Sequence, residues 1–123
     1  MTAEHLGIIR ELPCCVCGRL GVEAHHPRGG SMAARGVNVG AAQRASDWLA
    51  LPLCTRHHTQ EEGIHRIGVD TWEERYGEQA GHIDTLCRLF RKDLWQLAEQ
   101  EQQTQRAERK WKRPKKLQLG ALN

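Results

Sequence analysis

Apolar positions are sparse along this chain and fall into short groups. Leu6, Ile8, Ile9 and Leu12 mark a lead-in over residues 1–12 that is placed to pack against the rest of the domain. Gly21-Val-Glu-Ala-His25 reads as a short strand, and Leu49-Ala-Leu-Pro-Leu53 as a second. Pro52 cannot donate to a ladder, which confines the second strand to an edge or a strand end. Cys54 opens a helical stretch, and Asp70-Thr-Trp-Glu73 has the spacing of a capping box for a short helix that stops at Gly77. Ile83, Leu86, Cys87, Phe90, Leu94 and Leu97 follow at helical spacing and predict one long helix over 79–105. Past Leu97 the stripe dissolves into Gln, Glu and Arg.

Residues 28–46 carry no such period. They hold four Gly and three Arg (Arg28, Arg35 and Arg44), which predicts a long irregular loop between the strands. The expected architecture is α+β: a lead-in (1–12), a small core (13–78), a long helix (79–105) and a C-terminal arm (106–123). No internal repeat is visible.

Composition sharpens this picture. With 123 residues, 39% hydrophobic, 5% aromatic and a mean hydropathy of -0.65, the chain has little material for a core, and domains this small are commonly stapled by disulfides or metal. The sequence lacks an apolar run of membrane-spanning length and a secretory signal pattern, so a cytoplasmic protein without membrane contact is expected. Five Cys and seven His in that setting favour metal binding over disulfides.

Net charge is only +3, yet Arg106 to Lys116 holds seven Lys/Arg against one acid, while the remainder has 11 basic and 14 acidic residues. A mildly acidic body with a basic arm suits a polyanionic partner, nucleic acid above all, although a solvated charge run reads equally well. Arg109, Lys110, Lys112, Arg113, Lys115 and Lys116 would meet phosphates, Trp111 would either stack on an unpaired base or cover apolar surface on a neighbour, and Arg28 and Arg35 would add contacts from the loop.

Two pairs of soft ligands stand out: Cys14-x-x-Cys17 and, further on, Cys54-x-x-His57. Each pair closes a tight turn, and together they supply the four ligands of a tetrahedral structural zinc. Gly18 after the first pair fits the turn of a zinc knuckle. Cys15 competes for a place in the first pair with a poorer bite, and Cys87 reads as an ordinary buried thiol. His25 and His26 are adjacent at a strand end, before Pro27 holds the chain extended. They are either two surface histidines or two sides of one site.

In order, Cys-x-x-Cys, His-His, an irregular loop, Leu-Pro-Leu-Cys-x-x-His57-His58 and then His65 resemble the HNH (ββα-metal, His-Me finger) nucleases. Ala24-His-His-Pro-Arg-Gly29, Ala45-Ser-Asp-Trp-Leu-Ala-Leu-Pro-Leu-Cys-Thr-Arg-His-His58, Gly63-Ile-His-Arg66 and Thr71-Trp-Glu-Glu-Arg-Tyr-Gly77 are more closely similar to the phage recombination-enhancement (Ref-like), RecA-dependent nucleases. The likeness covers residues 13–77.

The resemblance implies a small ββα-metal core carrying a zinc knuckle. It gives His26 the role of general base, His25 and His58 the role of ligands to a catalytic divalent ion, and His65 that of the last histidine of the ion site. Three departures accompany it, one being His57 where many relatives carry Cys, either of which zinc accepts. The segment Thr59–Ile64, with Gly63, is inserted ahead of His65, so the ligand helix is expected to break there, leaving His65 as a ligand or as a contact to DNA or water. The family's middle Asn is missing, and Asp47 is the nearest polar residue able to orient the loop or a histidine.

The expected activity is metal-dependent hydrolysis of DNA phosphodiesters, with Mg2+, Mn2+, Zn2+ or Ni2+ as the catalytic ion and a RecA-type recombinase filament as a further partner. A branched-DNA endonuclease is a variant of that reading. The competing reading is a non-catalytic zinc module that binds DNA or a recombination protein. A phage origin would put the protein in a bacterial host's cytoplasm.

Overall fold

In this computed structural model the chain is described over residues 2–40 and 43–122, with side chains described as far as Trp111. Its centre is a two-stranded antiparallel sheet in which β1 (Glu23–His25) pairs with β2 (Leu51–Leu53), His25 lying opposite Leu51 and Ala24 opposite Pro52. Both strands of such a sheet are edges, so the missing N–H of Pro52 is tolerated. Its carbonyl accepts from Cys15 N–H at 3.0 Å, which fastens the knuckle to β2. Helix α3 (Thr55–His58) follows at once, with Cys54 at its N-cap, and completes the expected strand–strand–helix order. The fold class is therefore α+β, with a long C-terminal helix and a Cys cluster able to form a zinc site.

Lead-in residues Thr2–Glu11 form helix α1, and Ile9 is fully buried on it. A 3-10 turn at Asp47–Leu49 packs between α1 and the C-terminal helix. Ile9, Met32, Leu49, Leu51, Ile83 and Leu94 are centres of one apolar cluster. A second gathers Val22, Leu53, Ile64 and Trp72 around the buried Cys14 and Cys54. Trp72 is fully buried and donates its indole N–H to the His57 carbonyl at 3.0 Å, so its ring backs directly onto the Cys/His turn.

Three expectations need correction. The single helix over 79–105 is two: α6 (Gln79–Phe90) and α7 (Leu94–Leu122). Arg91 adopts a left-handed conformation (φ 54), Lys92 N–H returns to the Cys87 carbonyl, and Asp93 accepts from Gln96 N–H at 3.0 Å as an N-cap does. Chain reversal lets Leu94 and Ala98 pack back on Ile83 and Leu86, which offsets a cost of about 1–2 kcal/mol for a left-handed non-glycine residue.

The stretch 28–46 is not wholly irregular either, because Gly30–Ala34 forms helix α2. Its first turn is fixed from afar, with Ser31 donating from both backbone and hydroxyl to Glu73. Finally, helix α5 (Val69–Tyr76) begins after Gly68, so Asp70 lies inside the first turn and does not cap it. Glu73 turns to Ser31 and Gln79 and leaves the expected capping box unmade. The helix does stop at Gly77 (φ 96).

Helix α4 (Ile64–Ile67) is separate from α3, as the insertion before His65 predicts. Helix α7 has 29 residues, about 43 Å at 1.5 Å per residue. Its described residues beyond Glu101 are exposed. No helix among the described residues is long and apolar enough to cross a membrane.

Candidate metal centres

Cys14, Cys17, Cys54 and His57 place one ligand atom each within 4.8 Å of one another. The knuckle turn is built by Gly18 (φ 77), whose N–H bonds the Cys14 carbonyl at 2.9 Å, while Cys14 N–H bonds the Arg19 carbonyl at 2.8 Å. Across the site Cys17 Sγ lies 3.6 Å from Cys54 Sγ, and Cys54 Sγ lies 3.3 Å from His57 Nδ1. A zinc tetrahedron with ordinary Zn–S and Zn–N distances has edges of about 3.3–3.8 Å. The donor set and its spacing fit a metal ion, in keeping with structural zinc.

Local electrostatics favour thiolate at one of these positions. Burial pushes the Cys14 thiol up, but backbone groups of Cys54, Cys17 and Val16 hydrogen-bonded to its sulfur outweigh this and hold it below the usual value. Burial raises Cys54. Cys15 is pushed up to about 12 by burial and by the neighbouring Cys14, and it stays outside the cluster as a spacer. Cys87 is half-buried at the α6–α7 turn, where its sulfur accepts from Leu94 N–H at 3.4 Å.

A second cluster joins His25 of β1, His58 at the end of α3 and His65 of α4, again with ligand atoms within 4.8 Å. The three rings have centroids 4.7–5.2 Å apart, and the Nε2 atoms of His58 and His65 lie 3.1 Å apart. His58 Nδ1 is 2.8 Å from Glu23 Oε1, so with Nδ1–H donating to the carboxylate, Nε2 keeps its lone pair toward the other rings. His25 is 2% exposed and its Nε2 is 3.0 Å from Gln79 Oε1. Its Nδ1 is buried and has no hydrogen-bond partner among the described residues.

Three imidazoles grouped in this way could hold a metal ion. Burial pushes His25 down to about 4, against the hydrogen bond to Gln79, and burial then the His58 charge lower His65. Both shifts favour the neutral ring, the form in which imidazole ligates.

His26 stands next to His25 but faces Asp47. Its Nε2 is 2.7 Å from Asp47 Oδ1, with side chains 15% and 18% exposed, and Arg44 reaches the same oxygen at 3.6 Å. The 3-10 turn that carries Asp47 is held by Ser46, whose side chain accepts from Trp48 N–H at 3.2 Å.

Residues expected to meet DNA are scattered more widely. Arg28 donates to the carbonyls of Val39 and Gly40. Arg35 pairs with Asp84 at 3.0 Å and lies 4.5 Å over the Trp95 ring, so both arginines are occupied within the fold. Arg109 and Lys110 are exposed on α7, and Trp111 is 79% exposed beside them. Lys112, Arg113, Lys115 and Lys116 lie outside the residues whose side chains are described.

Glu23 and Gln79 go unnoticed in the sequence. They bond His58 and His25 far along the chain, and no local motif marks them. Glu73, read there as part of a capping box, instead bonds Ser31 and Gln79. A family model, "Protein of unknown function (DUF968)", matches residues 1–93. The chain belongs to this family. Both clusters lie inside the matched residues, while most of α7 lies outside them. No curated protein and no solved structure matches the chain.

Proposed function

We propose that this DUF968 protein is a metal-dependent DNA endonuclease of the HNH type, built on a zinc-stapled strand–strand–helix core. The observation that carries the reading is the cluster of His25, His58 and His65 beside the His26–Asp47 pair. The unmet Nδ1 of buried His25 costs stability on its own, and unlike the unmet nitrogen of His5 it belongs to a ring grouped with two further candidate ligands. An ion held by those three histidines would supply Lewis-acid stabilisation of the negative charge that grows on a phosphate during cleavage.

The remaining work falls to residues of the chain. Asp47 accepts from His26 Nε2–H, which leaves Nδ1 as the proton acceptor and holds the ring in one orientation. His26 Nδ1 then takes a proton from the water that attacks the phosphorus. Arg44 steadies the carboxylate that steadies the base. DNA is the substrate the charge pattern supports, with Arg106, Arg109 and Lys110 of α7 as phosphate contacts and Trp111 exposed for stacking. A RecA-type filament as partner is supported only by the resemblance of residues 13–77.

Nicking of supercoiled plasmid and cutting of single strands test this reading, with Mg2+, Mn2+, Zn2+ or Ni2+ added and with or without a recombinase filament. Metal-dependent cleavage is expected. DNA binding without cleavage under every condition would favour the non-catalytic zinc module.

A further inference from the structure

Gln79 is wholly buried at the start of α6, and it meets His25 across 54 positions of sequence. Its amide nitrogen is 3.1 Å from the Arg28 carbonyl and 3.5 Å from Glu73 Oε2. Neither partner can donate. A backbone carbonyl carries no proton, and Glu73 is held ionised. Burial pushes its carboxyl up, but the Ser31 hydroxyl and the Ser31 and Gln79 backbone N–H groups bonded to it outweigh this and hold it below the usual carboxylate range.

The Gln79 NH2 must therefore face these two acceptors, and its oxygen must face His25. A carbonyl oxygen 3.0 Å from His25 Nε2 can only accept, so Nε2 carries the ring proton and Nδ1 keeps its lone pair. That Nδ1 is the buried nitrogen left without a partner among the described residues.

We propose that Glu73 and Gln79 form a positioning relay that locks His25 as its Nε2–H tautomer and presents Nδ1 as the ion-binding atom, which rests on the proposed role of the three histidines as ligands to an ion. Glu23 performs the complementary task at His58, where the carboxylate takes Nδ1–H and turns Nε2 inward. The two neighbouring ligands thus bind through different nitrogens, each set by an acceptor on the opposite side of its ring. Gln79 and Glu73 touch neither substrate nor ion. They act through His25.

The relay is tested on nitrogen-15-labelled full-length protein carrying its knuckle zinc but no second ion. Two-bond proton–nitrogen correlation spectra report which nitrogen of each imidazole is protonated. His25 is expected to show a protonated Nε2 and a bare Nδ1. Calorimetric titration with Mn2+ then compares the wild type with Gln79→Leu, which is expected to bind the second ion about 10–100-fold more weakly while retaining the knuckle zinc. A wild type that takes up no second ion overturns the metal reading of the cluster, whatever tautomer the spectra show. Uptake of the ion with His25 protonated on Nδ1, or with unchanged affinity in Gln79→Leu, overturns the relay alone. The wild-type spectrum decides the tautomer even where the variant does not fold.

Discussion

Gly63 approaches His58 so closely that a Cβ at position 63 would lie 2.5 Å from the His58 carbonyl carbon and 2.6 Å from its oxygen. Real Cβ atoms do not come so near to backbone. Glycine here is required by space, since its φ of -75 is open to any residue. The close approach lets α4 start directly against the end of α3, and this brings His65 back to His58 despite the break between the helices. Gly63→Ala should push α4 outward and separate the two rings. We expect a stability loss of about 1–3 kcal/mol, as for overpacking elsewhere, together with weaker binding of the second ion. Denaturant melts and Mn2+ titration check both, and unchanged ion affinity would remove α4 from the site.

Val22, Leu53, Ile64 and Trp72 form one apolar cluster with the ligands Cys14 and Cys54. Structural zinc in small modules contributes apparent free energies on the order of 10 kcal/mol. Cys54→Ser should therefore lose zinc and the fixed environment of Trp72. Metal analysis and near-ultraviolet dichroism read these two losses, and a folded, zinc-free variant would count against a structural ion.

His5 supplies a pH test away from either cluster. It is 5% exposed between the Trp48 and Phe90 rings, and its Nε2 has no hydrogen-bond partner among the described residues. Burial first, then the Lys92 charge, lower its pKa below 6.5, against the Trp48 backbone and the Asp47 charge. The unfolded chain then binds the proton more tightly than the folded one. Stability falls as pH drops below about 6.5 and levels off below the folded-state value. His5→Leu should remove that part of the acid loss, since it deletes the titrating ring. Parallel melts at pH 7 and pH 5 measure it, and an acid slope identical to wild type would exclude His5 as its source.

Local chemistry is the legible part of this molecule. A two-residue spacer between ligands fixes the bite of a turn wherever the turn sits, so Cys14, Cys17, Cys54 and His57 group together without knowledge of the fold. The strands at 23–25 and 51–53, the helix after Cys54 and the stop at Gly77 are equally local. The α6–α7 break is hidden because Phe90 and Leu94 keep helical spacing across it, and Arg91-Lys-Asp93 contains neither Gly nor Pro. Helix α2 depends on Glu73, 42 residues beyond Ser31, and Gln79 acts on His25 across 54 residues. Neither pairing leaves a periodic trace in sequence. Asp70 fails as a cap because Gly68 has already turned the chain, which leaves Glu73 free to tie α2 and α6 together.

The catalytic proposal turns on His26 as the base, held by Asp47 and separate from the ion ligands. Single-turnover cleavage of a DNA substrate by His26→Ala, at saturating Mn2+ and with ion and DNA affinities measured alongside, tests it most directly. Rate should fall by about 10²–10⁴-fold while both affinities stay at wild-type values. A variant that cuts at the wild-type rate would contradict the mechanism.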